Sequence, residues 1–215
     1  MFLKKISMGI KLSIVLVHYS TDDYKSEVAN FCLRQLKRTL DETCELIIVN
    51  NGDRDKDFSK YADIYIQNDK NSLGYARNVG SRKATGEYIC FMDNDIFTMP
   101  GWWRKCIKLL ETFSDHKLIA SPVYTSCHVF QRKYHAGMLG GRFLNKRSGS
   151  PCHLMKRETF DKLGNFPETF GDYYVGGDGG KFIDRQCEAG YLIILTRKME
   201  AFHLGTTKYK YGFKK

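Results

Sequence analysis

Apolar runs that each stop abruptly at a polar cluster constrain this chain most. Ile14-Val15-Leu16-Val17 stops at His18-Tyr19-Ser20, and Leu46-Ile47-Ile48-Val49 stops at Asn50-Asn51-Gly52-Asp53. Tyr88-Ile89-Cys90-Phe91-Met92 stops at Asp93-Asn94-Asp95. Uninterrupted apolar runs of this length read as strands buried on both faces. Helical patterns separate them. Asp22 or Asp23 caps a helix reaching about Leu40, with Val28, Phe31, Cys32 and Leu36 as its apolar stripe. Ala62 to Gln67 forms a third, short strand, and Leu73 to Ala84 a helix closed by Gly86. Pro100 opens a helix through Trp102, Trp103, Ile107 and Leu110, followed by a strand at Leu118-Ile119-Ala120. Strands alternating with helices predict an α/β fold, a central mostly parallel sheet flanked by helices. In such sheets ligands bind beyond the carboxyl ends of the strands, where the three polar clusters fall.

The character changes after residue 122. Val123 to Leu144 is richer in His, Tyr, Arg and Gly, breaks at Gly140-Gly141, and reads as a hairpin or irregular structure. Arg157 to Leu163 reads as a short helix and Gly176 to Gly180 as a flexible turn. A helix from Lys181 to Ala189 ends at Gly190, and Tyr191 to Leu195 is a strand. No linker divides the 215 residues, which are therefore expected to form one domain with a divergent second half.

Composition excludes several classes. Cys32, Cys44, Cys90, Cys106, Cys127, Cys152 and Cys187 are scattered, odd in number and contain no Cys-x-x-Cys, which argues against a disulfide framework or zinc site and for a reducing compartment. Lys4 and Lys5 precede apolar residues, but the run before His18 is too short for a leader and reads as a buried strand. With no stretch of the roughly 18 apolar residues needed to span a bilayer, a cytoplasmic location is expected. The formal net charge of +10 suits polyanionic partners such as nucleic acid, phosphorylated substrates or an anionic membrane surface, and equally a lysine-rich solvated surface.

Asp93 and Asp95 carry the clearest chemistry. Alternation along a strand puts both on one face, so at a strand end they can address one ligand together. Two hard oxygen donors suit Mn²⁺ or Mg²⁺ holding a diphosphate. A plain turn also favours Asp and Asn at these positions.

Taken together and in order, these landmarks resemble a nucleotide-sugar glycosyltransferase of the GT-A fold, most like family 2. The resemblance rests on Ile14 to Tyr19, Ile47 to Asp53, Gly74-Tyr75-Ala76-Arg77-Asn78-Val79-Gly80 and Gly86-Glu87-Tyr88 through Asp95, and it covers roughly Leu12 to Gly205. It implies a Rossmann-like GT-A sheet in which residues 1–122 form the nucleotide-sugar half, and residues 123–215 the acceptor half and a C-terminal lid or tail. It implies donor binding by Val17, Tyr19, Asn50, Asn51, Asp53, Gly74, Arg77, Asn78, Asp93 and Asn94, with Tyr19 against the base and Arg77 facing the diphosphate. Asn50 and Asn51 stand where the family often has Asp to accept from uracil, so a UDP-sugar is expected through an amide that both accepts and donates. Metal ligation is implied for Asp95 first, with Asp93, and for His203 ahead of Leu204-Gly205.

An inverting transfer needs a carboxylate to take the proton of the acceptor hydroxyl. Relatives place a Glu-Asp pair before a helix ending in Arg-x-x-x-x-Gly-Tyr. Here Asp178 and Gly179 occupy those places ahead of Arg185 to Tyr191, so Asp178 is the candidate base and Asp172 the reserve. Gly177 beside it lets the backbone approach an acceptor closely, while a helix N-cap is the other reading of Asp178. Trp102 and Trp103 offer aromatic faces to the acceptor, though one of the two suits a core. The acceptor is expected to be a glycan or lipid-linked saccharide. The alternatives are hydroxymethylated bases of DNA, suggested by the charge and the basic, aromatic tail Thr206 to Lys215, and an inactive nucleotide- or nucleic-acid-binding module.

Overall fold

A computed structural model describes residues 9–19, 22–51, 56–70, 72–124, 134–147, 151–169 and 177–204, without the side chains of Gly177 and Asp178. The first three strands are β1 (Leu12–His18), β2 (Cys44–Asn51) and β3 (Ile64–Asn68), and the fourth is β4 (Tyr88–Asp93). Every residue of β1 and β2 is buried, so both faces of these strands are covered, which is why they read as unbroken apolar runs. The strands β3, β2, β1 and β4 lie side by side and parallel. Their register sets the polar clusters level: His18 lies opposite Asn50, Asn50 opposite Gln67, and Val17 opposite Asp93.

Local sequence explains the connecting helices. The helix α1 (Asp23–Thr39) starts where the Asp22 carboxylate accepts from the Lys25 N–H at 2.9 Å. The helix α2 (Leu73–Ser81) starts where Ser72 Oγ accepts from the Tyr75 N–H at 3.2 Å. It lies so close to the sheet that a Cβ on Gly80 would come within 2.5 Å of Val15 Cγ1. Glycine is required there for approach, and that approach brings Arg77 over the strand ends.

Beyond β4 the topology departs from simple alternation. A three-residue strand β5 (Ile96–Thr98) precedes α3 (Trp102–Thr112) and β6 (Leu118–Val123). The expected hairpin forms as β7 (His135–Leu139) and β8 (Arg142–Asn145), turning at Gly140 and Gly141, whose φ angles of 53° and 71° are left-handed. β9 (Cys152–Lys156) inserts antiparallel between β4 and β6, which sequence periodicity did not indicate. After α4 (Arg157–Leu163), α5 (Gly177–Glu188) leads to β10 (Leu192–Met199) and β11 (Ala201–His203). The nine-stranded order is β3-β2-β1-β4-β9-β6-β10-β8-β7, and β5 pairs with β11 in a separate ribbon. The expected mostly parallel, helix-flanked sheet is thus observed.

Gly177 to Gly180 are helical rather than a flexible turn. Glycine disfavours helix by about 1 kcal/mol per residue. The buried face of α5 outweighs this: the Phe182 ring stacks on Phe166 at 4.1 Å, and Phe160 and Phe91 extend the aromatic cluster.

Candidate functional site

The end of β4 and the β5–β11 ribbon build one cluster. Asp93 is the last residue of β4, and a tight turn through Asn94 places Asp95 directly before β5. Antiparallel pairing sets His203 opposite Ile96, and the Leu204 N–H donates to the Asp95 carbonyl at 3.0 Å. Residues more than a hundred positions apart therefore meet: ligand atoms of Asp93, Asp95 and His203 all lie within 4.8 Å of one another.

Donor chemistry and burial fit a divalent cation. Asp95 Oδ1 is buried and accepts no hydrogen bond, while His203 Nε2 lies 3.3 Å from it. Two carboxylates and an imidazole form a mixed oxygen–nitrogen set. Ligands about 2.1 Å from one cation can stand at most about 4.2 Å apart, so small side-chain rotations suffice to close this set. The ring of Tyr124 meets His203 edge-on at 6.3 Å between centroids.

Arg77 supports the cluster from behind. It is only 2% exposed, and its Nη2 donates to Asp93 Oδ1 at 3.0 Å. Its guanidinium also lies 5.1 Å from the Phe166 ring centroid. Asp93 keeps 36% of its side chain exposed. Burial among protein atoms pushes the Asp93 pKa above the ordinary carboxylate value; Arg77 and His203 oppose the rise and Asp95 adds to it. An added cation favours the ionised form of such a group.

Sequence expectations meet different fates. Asn78 is wholly buried: its Nδ2 donates to the Phe166 carbonyl and to Glu168, and its Oδ1 accepts from the Phe166 N–H. It fixes the Phe166–Glu168 segment to α2. Asn50 Nδ2 donates to the Lys56 carbonyl, Tyr65 Oη and Gln67 Oε1, and Asn51 Oδ1 accepts from Asn68 at 2.6 Å. Both amides are buried and serve to join β2 to β3 and its approach. Trp102 and Trp103 are corrected outright as acceptor contacts. They are 0% and 4% exposed, and Trp103 Nε1 donates to the Thr39 carbonyl at 3.2 Å, so neither presents a face to a ligand.

Tyr19 directly follows β1 with 44% exposure, Val17 is buried one strand position from His18, and Gly74 is buried in the first turn of α2. Asn94 Nδ2 lies 3.0 Å from His18 Nδ1, and the His18 ring packs on Phe58 at 4.4 Å. His18 was legible only as part of a strand-end cluster, and its link to the Asp93–Asp95 turn required the β1–β4 register. Gly177 and Asp178 open α5, and their side chains are not described. Asp53, Asp172 and the tail from Gly205 lie outside the described residues. Among the described residues, no helix is long and apolar enough to cross a membrane.

Solved structures share this architecture. The mannosyltransferase PcManGT from Pyrobaculum calidifontis, in complex with GDP-Man and Mn²⁺, superposes with a TM-score of 0.67 at 15% identity, over 94% of this chain and 59% of that one. TarS (1–349) of S. aureus in complex with UDP-GlcNAc gives 0.65 at 14% identity, over 89% and 58%. At these identities the likeness establishes the fold. A protein of Bacillus subtilis (strain 168) named for glycosyl transfer, EpsH, is 30% identical over 112 residues, 48% of this chain and 30% of that one. The chain spans less than half the length of the curated relatives it matches. The model of the family "Glycosyl transferase family 2" matches residues 13–171, most of the sheet and the whole Asp93–Asp95 turn, and the chain belongs to that family.

Proposed function

We propose that this chain transfers a sugar from a nucleoside-diphosphate sugar to an acceptor hydroxyl, with inversion at the sugar carbon. The observation that carries the reading is the convergence of Asp93, Asp95 and His203 at the carboxyl edge of a parallel sheet. These three residues would hold Mn²⁺ or Mg²⁺, which when bound neutralises charge developing on a departing diphosphate. Structures similar to this chain contain Mn²⁺ with a nucleotide sugar in one case and UDP-GlcNAc in another, which supports the reading.

The chain's own residues supply the rest. Arg77 holds Asp93 in place and favours its ionised form. Tyr19 offers an exposed ring at the strand end for base stacking. Asn50 Nδ2 is engaged by Tyr65 and Gln67 and Asn51 Oδ1 by Asn68, and the amides at the end of β2 would read the edge of the base. Asp178 takes the acceptor proton as the bond from acceptor oxygen to the sugar carbon forms and the bond to the β-phosphate oxygen breaks. A glycan or lipid-linked saccharide is the acceptor. Asp95 Oδ1, buried beside His203 Nε2 and accepting no hydrogen bond, supports a cation at this place.

The test is release and transfer of labelled sugar from a panel of nucleotide sugars, with and without Mn²⁺. Turnover that requires the cation is expected. Asp178→Asn is expected to lower turnover by about a hundredfold or more while donor affinity holds. Unchanged turnover in that variant removes Asp178 from the role, and no turnover with any donor removes the reaction.

A further inference from the structure

A second built surface lies away from the Asp93 cluster. The helix α3, the turn of the β7–β8 hairpin and the outer end of β10 enclose a groove of about 540 Å³. Lys105, Lys108, Arg142, Arg197 and Lys198 line it, against the single carboxylate of Glu200. Glu200 is already satisfied, because Lys105 Nζ lies 2.7 Å from both of its oxygens. Arg142 donates to the Gly140 carbonyl, and no carboxylate among the described residues pairs with Lys108, Arg142, Arg197 or Lys198. Four unneutralised cations around one concavity repel one another, and an anion relieves that repulsion. The floor is different in kind: Leu109 and Phe113 give it an apolar base.

We propose that this groove docks the protein on an anionic phospholipid bilayer, taking a lipid phosphate against its cationic rim and the first methylenes of an acyl chain against Leu109 and Phe113. Charge complementarity names the phosphate, since an anionic bilayer attracts Lys and Arg clustered near its surface. The apolar floor selects lipid over nucleic acid, whose outward sugar-phosphate backbone offers it no methylene chain. The concave shape fits a headgroup, whereas a duplex presents a wide convex rod. β10 leads from this groove through Glu200 into β11, so the docked face is continuous in the chain with His203. Docking does not depend on which sugar or acceptor the Asp93 cluster serves.

The experiment is co-sedimentation of the whole protein with vesicles of phosphatidylcholine alone or mixed with phosphatidylglycerol. Because the chain is strongly basic throughout, two triple variants of equal net charge are compared. One is Lys108→Glu with Arg197→Glu and Lys198→Glu; the other, on exposed sites elsewhere, is Lys60→Glu with Lys83→Glu and Lys162→Glu. Thermal melts establish that both fold. The expected result is salt-sensitive binding to the mixed vesicles only, about a hundredfold weaker in the groove variant and within about threefold of the parent in the other. Equal loss in both variants would mean that net charge alone drives association, overturning the groove. Displacement from vesicles by short duplex DNA at equal phosphate, with the groove variant losing DNA binding, would reassign the groove to nucleic acid. Absence of binding to either vesicle would also end the proposal.

Discussion

The two carboxylates and the imidazole of the proposed cation site come from regions built in different ways. Asp93 ends a central strand flanked by β1, buried throughout, and β9, buried at all but its last residue, and Asp95 follows after one residue. His203 arrives on a three-residue strand in a two-stranded ribbon outside the main sheet. Asp93 is thus fixed by the core, His203 is carried by a short element with few ladder hydrogen bonds, and Asp95 joins the two, its carbonyl accepting from the Leu204 N–H. Short two-stranded ribbons are marginal alone. The carboxylates therefore provide a standing anionic site, and the imidazole completes it only while the ribbon stays paired.

The largest effect should fall on the core side. Asp95→Ala is expected to lower turnover by about a thousandfold or more without unfolding the sheet, and His203→Ala by about ten- to a hundredfold, both read as kcat/KM across a Mn²⁺ series. Equal losses would mean that the ribbon is as firmly fixed as β4. Next comes Arg77→Met. Removing one member of a buried pair leaves the other uncompensated, and because Asp93 stays partly exposed the cost should be about 2 kcal/mol in denaturant unfolding, below the figure for a fully buried pair. Cation affinity should fall with it, since Asp93 loses the partner that favours its ionised form.

Glycine substitutions give the smallest contrast. Gly80→Ala forces a Cβ against Val15 in the tightly packed half and should cost about 1–3 kcal/mol. Gly141→Ala meets open space in the hairpin and should cost only the left-handed backbone strain, about 1–2 kcal/mol. Thermal melts that rank the two the other way would show the hairpin to be the more rigid element.

The same contrast governs what could be read in the sequence. β1, β2 and β4 were legible because burial on both faces leaves an unbroken apolar run; α2 was expected from Leu73 to Ala84 and closed by Gly86, whereas it ends at Ser81. β9 was not: its five residues include a buried histidine, and its antiparallel slot between β4 and β6 is set by long-range pairing. β5 and β11, three residues each, are too short to show any period, so the ribbon that brings His203 to Asp95 could be inferred only through the family resemblance. The tryptophans carried a usable signal that was read the wrong way. Trp102, Trp103, Cys106, Ile107 and Leu110 repeat at helical spacing, the pattern of a buried stripe. Asn50 stands near the end of β2 and Asn78 on α2, and nothing local reveals that Asn78 bonds the Phe166 segment or that Asn50 Nδ2 bonds Tyr65 and Gln67 of β3.

If Asp93, Asp95 and His203 form a divalent-cation site, the cation strengthens nucleotide-diphosphate binding. Calorimetric titration of UDP and GDP into the protein, with Mn²⁺ and then with excess chelator, decides this. The expected result is affinity for at least one nucleotide raised about tenfold or more by Mn²⁺, with the gain abolished in Asp95→Ala. Equal affinity with and without the cation, or a gain that survives Asp95→Ala, would contradict it.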